Sequence, residues 1–182
     1  MTGEPRTGTP LPTTREGLVL RPLDGLADRE RLRDLCPRLS ARTRLLRFHG
    51  GVKELSDPFL DHLLNVDHHR REALVVLDSN AIIAVARYAV ACEESQEAEV
   101  SILVADDWQH QGIAQRLICD LRALAVQRGI RTFTATVQPH NDQARRFIST
   151  IAPHHRVLTN EGDLAYRWDC SREAGLVDGP CP

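Results

Sequence analysis

The chain alternates between stretches with strand-like and stretches with helix-like hydrophobic spacing. Short runs of β-branched and apolar residues predict six strands, at residues 17–23, 72–78, 81–90, 98–106, 131–137 and 163–170. Only the dipeptide SN separates the second run from the third, which predicts a hairpin of two antiparallel strands.

Leucine and isoleucine residues at helical spacing predict four helices, at residues 27–40, 55–66, 112–129 and 141–151. Ser56 or Asp57 is placed to cap the second helix, with Pro58 in its first turn. Gly129 is placed to end the third helix in a left-handed conformation, and Asn141 is placed to cap the fourth.

This order of elements predicts one α/β domain over residues 17–170, with a mixed sheet and helices on both faces. A chain of 182 residues, 42% of them hydrophobic, is long enough to bury one ordinary core. Residues 1–16 predict a disordered leader, and residues 171–182 predict a flexible tail. No run approaches the roughly 20 apolar residues of a membrane span, so we expect a soluble, cytoplasmic protein without a membrane partner.

Charge and composition narrow the possible partners. The 23 basic and 25 acidic residues give a formal charge of −2, and only 4% of residues are aromatic, so nothing favours nucleic acid. The five cysteines show no C-x-x-C spacing and predict free thiols. The adjacent pairs His68, His69 and His154, His155 lack the spacing of a metal site, and we expect no metal.

One glycine, Gly112, stands where the predicted strand 98–106 leads into the predicted helix 112–129. Without a Cβ, glycine lets a ligand come close to the backbone, and a helix start offers unpaired N–H groups and the positive end of the helix dipole. A glycine that only breaks the loop is the alternative. The ligand interpretation predicts a phosphate or pyrophosphate at Gly112.

The combination of Gln109, Gly112 and Ala114 between this strand and this helix resembles motif A of the GNAT superfamily of acyl-CoA-dependent N-acyltransferases. Asn141 and Phe147 match the second signature of that family. The resemblance extends over about residues 18–169. It implies the GNAT fold, with a mostly antiparallel sheet of about six to seven strands. It also implies an enzyme whose cosubstrate is acetyl-CoA or another short acyl-CoA.

A narrower likeness concerns the segments "LSARTRLLRFHG" and "EAEVSILVADDWQHQGIAQRLI", which look like the catalytic domain of bacterial protein lysine acetyltransferases of the Pat type. Thr43 stands near where a serine is usual in those proteins, and Ala84 replaces a frequent glycine. The likeness implies acetyl transfer to a lysine side chain of a protein, such as an acyl-CoA synthetase. A small-molecule amine N-acyltransferase and a non-catalytic acyl-CoA sensor remain open, as do the acyl length and the oligomeric state.

A protein acceptor requires an open cleft, and we expect segment 38–51 to form one wall of it. Arg42, Arg44 and Arg47 in that segment are placed to meet an acidic surface around the target lysine. Such arginine runs are also typical of a solvated helix face.

Acyl transfer to an amine needs a base, because a lysine amine with a pKa of about 10.4 is protonated at neutral pH. The resemblance places this base at Glu99, which shares a strand face with Ser101 and Leu103. Asp106 and Asp107 are expected to be turn residues. Phe147 falls where many relatives carry a tyrosine, and a phenyl ring has no proton to give to the leaving thiolate.

The resemblance also implies which residues hold the cosubstrate. The strand residues Ile102, Leu103 and Val104 line the pantetheine arm through their main chain, at a point where this strand diverges from the next. The pyrophosphate is surrounded by Gln109, His110, Gln111, Gly112, Ile113, Ala114 and Gln115. Asn141 either binds the cosubstrate arm or only caps its helix.

Overall fold

The computed structural model describes residues 9–10, 17–48, 50, 52–92 and 94–172. Eight strands and five α-helices lie in these ranges. The strands are β1 (Thr9–Pro10), β2 (Leu18–Pro22), β3 (Arg71–Asp78), β4 (Ala81–Val90), β5 (Glu97–Val104), β6 (Thr132–Val137), β7 (Arg156–Asn160) and β8 (Asp163–Asp169). The helices are α1 (Arg29–Leu35), α2 (Ala41–Phe48), α3 (Asp57–Leu64), α4 (Ile113–Gln127) and α5 (Asp142–Ile151).

All six predicted strands and all four predicted helices are present. The predicted leader 1–16 and tail 171–182 fall mostly outside the described residues, and both stay predictions. Thr9–Pro10 of the leader forms the short strand β1 beside β2. No helix in the described ranges is both long enough and apolar enough to cross a membrane.

The strands form one sheet in the order β1-β2-β3-β4-β5-β6-β8-β7. Every neighbouring pair is antiparallel except β5 and β6, which are parallel, so the predicted mixed and mostly antiparallel sheet is confirmed. Strand β7 was not predicted, because all five of its residues are exposed and they show no apolar alternation.

Helix α2 was not among the four predicted helices, because segment 38–51 was predicted as a cleft wall, with a solvated helix face as the alternative for its arginines. None of its eight residues is fully buried, and therefore no apolar stripe marks the helix in the sequence. The residue before it supplies a start signal, because Ser40 Oγ accepts a hydrogen bond from the backbone N–H of Thr43 at 3.1 Å.

Helices cover both faces of the sheet, as predicted. Arg128, just after α4, donates to the hydroxyl of Tyr88 on one face of β4 at 2.7 Å. On the opposite face, Arg87 of β4 points toward the His62 carbonyl of α3. Gly129 has φ +82° and follows α4, so the predicted left-handed helix end is confirmed.

Candidate active site

Strands β5 and β6 run together for only a short distance. Their parallel pairing covers residues 97–99 of β5 and 132–134 of β6. Beyond Glu99, β5 continues beside β4 to Val104, whereas β6 continues beside β8 to Val137. The two strands therefore diverge directly after Glu99 and leave an opening between them, which we call the β5–β6 gap.

The main chain of β5 faces this gap at alternate residues. The backbone N–H of Ala105 donates to the carbonyl of Ile83 in β4 at 2.8 Å, so Leu103 and Ser101 also direct their main chain toward β4. Ile102 and Val104 direct theirs toward the gap. The carbonyl of Val104 accepts a hydrogen bond from Gln109 Nε2 at 3.1 Å. Of the three β5 residues predicted to line the arm through their main chain, Leu103 therefore directs its main chain toward β4 and not toward the gap.

The loop before α4 has the geometry of an anion site. His110 and Gly112 both have positive φ, +59° and +78°, and a Cβ built at Gly112 meets no atom within 4 Å. The first helical bond runs from the Arg116 N–H to the Gly112 carbonyl at 3.0 Å. In the described ranges, the backbone N–H groups from His110 to Gln115 donate to no acceptor. Unpaired N–H groups at a helix start attract anions, and we call this loop the anion seat.

Side chains attach the anion seat to the rest of the fold. Gln109 Nε2 binds the end of β5, and Gln109 Oε1 accepts a hydrogen bond from Gln143 of α5 at 3.1 Å. Gln111 Nε2 donates to the carbonyl of Asp107 at 2.9 Å. The Gln109 side chain therefore holds the loop in place, and the backbone of the loop forms the anion seat.

Asp106 joins the same loop to helix α2. Its carboxylate accepts hydrogen bonds from the Ser40 N–H at 2.8 Å, Ser40 Oγ at 2.7 Å and Thr43 Oγ1 at 2.8 Å. Partial burial acts to raise the pKa of Asp106, but these hydrogen bonds outweigh it and hold the pKa below its usual value. Asp106 does lie in a 3-10 turn, as predicted, yet its contact with α2 was missed because more than 60 residues separate the partners.

Glu99 lies at the point where the β5–β6 gap opens. Its side chain is exposed and shares a sheet face with Ser101 and Leu103. The neighbouring carboxylate of Glu97 is paired with Arg167 at 2.7 Å. Glu99, by contrast, has no hydrogen bond to its side chain and no ion pair within 4 Å among the described residues. The Glu99 carboxylate is therefore accessible to a ligand in the gap.

A cavity lies beside Glu99, between the sheet and helices α1 to α3, and we call it the cleft cavity. Its lining includes Arg47, Arg87, Ser101 and several leucines. Arg47 Nη2 donates to Ser101 Oγ at 3.0 Å, so this arginine points into the cleft. Arg42 remains exposed, and Arg44 donates to the carbonyl of Leu39. The three arginines that the sequence analysis grouped together therefore do not form one outer surface.

The two residues of the second sequence signature have structural roles. Asn141 Oδ1 accepts a hydrogen bond from the Ala144 N–H at 3.1 Å, so Asn141 caps α5 as predicted. A contact between Asn141 and the cosubstrate stays a prediction. Phe147 is half-buried and packs against the core. Its ring offers no proton donor.

The histidine pairs occupy separate surroundings. His68 Nδ1 lies 2.8 Å from the buried carboxylate of Glu72, which is also paired with Arg128 at 2.8 Å. His155 Nδ1 lies 2.8 Å from the carbonyl of Ala152. Over the residues that the structure describes, no three His, Cys, Asp or Glu side chains come together in a metal-binding group.

The chain is similar in sequence to known acetyltransferases. The sequence matches the acetyltransferase (GNAT) family over residues 39–150. An acetyltransferase of Pseudomonas aeruginosa is 37% identical over 118 residues, which are 63% of this chain and 62% of that protein. The acetyltransferase Pat of Mycolicibacterium smegmatis is 30% identical over 149 residues, which are 79% of this chain and 44% of that protein. The chain thus spans less than two thirds of the length of either relative.

A solved structure has the same fold. The GNAT domain of S. lividans PAT superposes on this chain with a TM-score of 0.79 and 26% sequence identity. The superposition covers 89% of this chain and 96% of that chain. The likeness therefore extends over most of the chain rather than over the anion seat alone.

Proposed function

The chain belongs to the acetyltransferase (GNAT) family, and we propose that it transfers an acetyl group from acetyl-CoA to the side-chain amine of a lysine in a protein. The family match covers more than half of the 182 residues and establishes an acyltransferase that uses acyl-CoA. The likeness to two proteins called Pat supports a protein lysine as the acceptor. An acyl-CoA synthetase is the first protein to test.

The observation that carries the proposal is the β5–β6 gap, which begins at Glu99 and lies beside the anion seat. In the proposed complex, the N–H groups of residues 110–115 bind the pyrophosphate. The main chain of Ile102 and the N–H of Val104 bind the amides of the pantetheine arm, and the Leu103 side chain packs at the cleft. Asn141 lies at the start of α5, where its amide nitrogen is available to the arm.

Glu99 is the proposed general base. It removes a proton from the lysine ammonium, directly or through a water molecule, so that the neutral amine attacks the thioester carbonyl. The acyl-CoA supplies this activated carbonyl. A bond forms between the amine nitrogen and the acyl carbon, the carbon–sulfur bond breaks, and CoA leaves as a thiolate. The nitrogen, which is positively charged after the attack, releases one further proton to solvent to give the neutral amide. Phe147 has no proton to give to this thiolate, and the proposal names no general acid.

The proposal includes a cytoplasmic location. Over the residues that the structure describes, Cys36, Cys92 and Cys170 form no disulfide bond, and reduced thiols are typical of a reducing compartment.

The test is a turnover assay with an acyl-CoA synthetase and a panel of small amines side by side. Release of CoA thiol is measured together with the mass of each product. We expect one dominant acetylated lysine on the protein. If only the small amines are acetylated, the acceptor is a small molecule and not a protein, and the proposed role of Glu99 is unchanged. Binding of acetyl-CoA without any thiol release would identify an acyl-CoA sensor instead.

A further inference from the structure

Two arginine side chains face the cleft cavity without an acidic partner. Arg87 is only 8% exposed, and the one hydrogen bond of its guanidinium among the described residues, to the carbonyl of His62, is long at 3.5 Å. Arg47 donates to the hydroxyl of Ser101 and stacks its guanidinium near the ring of Phe48. Across the described residues, no carboxylate lies within 4 Å of either guanidinium.

Among the described residues, both fully buried carboxylates are paired. Asp28 is fully buried, and two arginines hold it, Arg21 at 2.6 Å and Arg31 at 3.0 Å. Glu72 is likewise buried and paired with Arg128. A buried charge without such a partner is costly, and proteins rarely keep one. The contrast marks Arg47 and Arg87 as charges that the fold itself leaves unpaired.

The surroundings of Arg47 and Arg87 further disfavour the charged forms of the two guanidinium groups. Burial lowers the pKa of Arg47, and the nearby guanidinium of Arg87 lowers it further. Burial also lowers the pKa of Arg87, and Arg71 contributes in the same direction. For both groups Glu99 opposes these effects, although it is too far away for an ion pair. An additional negative charge in the cavity would therefore stabilise both guanidinium groups.

The shape of the cavity limits which anion fits. Around the two arginines, the lining is aliphatic: Leu23, Leu32, Leu55, Leu63, Val85 and Leu103. Ser101 lies two residues beyond Glu99 on the same strand face, so the cavity adjoins the place where acyl group and amine meet. A ligand with a short aliphatic stem and a negatively charged end matches this lining.

We propose that Arg47 and Arg87 bind a carboxylate that one of the two substrates carries on a short aliphatic stem. Guanidinium groups match carboxylate oxygens through paired N–H donors. The carboxylate belongs either to the acyl donor, as in a dicarboxylic acyl-CoA, or to the acceptor, as in an amino acid. This inference rests on the proposed acyl transfer at Glu99 and adds a donor or acceptor beyond acetyl-CoA and the protein lysine.

The experiment compares substrates that differ only in the charged end. Succinyl-CoA and butyryl-CoA form the donor pair, and 6-aminohexanoate and hexylamine form the acceptor pair with acetyl-CoA. Thiol release gives kcat/KM for each, and calorimetry gives the binding affinity without turnover. We expect kcat/KM to be about tenfold higher or more for the carboxylate member of at least one pair. The pair that shows this preference identifies which substrate carries the carboxylate.

Variants test whether the two arginines cause the preference. In Arg47→Gln and Arg87→Gln we expect the preference to fall to near unity, with the affinity for free CoA unchanged. Arg87→Lys should restore part of it, and Arg131→Gln, which removes an exposed arginine outside the cavity, should leave it intact. Thermal unfolding midpoints verify that each variant is folded.

The outcomes separate this inference from the proposed function. Equal kcat/KM and equal affinity within both pairs would overturn the carboxylate site, even with normal acetyl-CoA turnover. A preference that survives in both Gln variants would overturn it as well. Absence of thiol release with every substrate would overturn the proposed function alone, provided that calorimetry still shows a carboxylate preference that depends on the arginines.

Discussion

At the scale of single residues, Gly112 combines a backbone requirement with an open space. Its φ of +78° is costly for most other residues, and its missing Cβ leaves the anion seat open. In Gly112→Asp, the new carboxylate repels a phosphate, so we expect the affinity for CoA to fall about tenfold or more. Calorimetry with CoA measures this.

Gly162→Asp is the matched control, because Gly162 also has positive φ and open space around it, but lies between β7 and β8. Both variants should lose comparable stability, on the order of 1 kcal/mol, whereas only Gly112→Asp should lose affinity. Unchanged CoA affinity in Gly112→Asp would show that the anion seat does not bind the cosubstrate.

Glu99 is the proposed general base. In Glu99→Gln the amide cannot take up a proton, so we expect turnover to fall by about 10²- to 10⁴-fold while the affinity for acetyl-CoA is unchanged. The deficit should shrink as pH rises toward 9, because more of the acceptor amine is then already neutral. Initial rates measured from about pH 6 to about pH 9 test both points.

Glu97→Gln controls for the loss of one carboxylate from β5. Glu97 is paired with Arg167 and lies two residues before Glu99 on the same face. Its turnover should remain near that of the original chain. If both variants keep the turnover of the original chain, neither carboxylate acts as the base.

At the scale of elements, the contact between α2 and the anion seat connects the two halves of the site. Asp106→Asn replaces a charged acceptor of three hydrogen bonds, and we expect the free energy of unfolding to fall by about 1–3 kcal/mol. Because α2 also carries Arg47, the KM for the acceptor should rise. Denaturant unfolding and steady-state kinetics measure the two effects.

The pH dependence of this contact has a defined sign. The pKa of Asp106 is lowered in the folded chain, so its contribution is present above the unfolded pKa and is lost as pH falls through the folded pKa. The stability difference between the original chain and Asp106→Asn should therefore shrink in acid. Asp107→Asn, at the exposed neighbouring residue, is the control and should change stability little. A difference that stays constant with pH would contradict this account of Asp106.

At the scale of the whole molecule, we expect the exposed side of α2 to be the part of the cleft wall that the proposed protein acceptor meets first. Arg42 is exposed there, whereas Arg47 points into the cleft. If the target lysine lies on an acidic surface, Arg42→Glu should slow acetylation of the protein about two- to fivefold without changing turnover of a small amine. The effect should weaken as salt is added.

Arg131→Glu, an equal charge change at another exposed site, serves as the control. Rates are followed by mass spectrometry of the modified protein at several salt concentrations. If Arg42→Glu and Arg131→Glu slow the reaction equally, then overall charge and not the α2 surface controls the encounter.

The sequence by itself determined the features that depend on neighbouring residues. Periods of apolar residues located six strands and four helices, and Asn141 and Gly129 marked helix ends that the structure confirms. Gly112 pointed to an anion at a helix start for the same reason, since glycine and the helix start are adjacent in the chain. Resemblance to a family added the fold and the role proposed for Glu99, which spacing alone leaves open.

Only the tertiary structure decided which distant residues meet. Arg47 looks like one more charge on a solvated helix, yet it reaches Ser101, 54 residues away, inside the cleft. Asp106 looks like a turn residue, yet it holds Ser40 across 66 residues. Contacts of this kind leave no periodic signal in the sequence, because they arise from the path of the chain through space and not from local preference. The exposed strand β7 went undetected for a related reason, since its pairing with β8, and not a buried apolar face, makes it a strand.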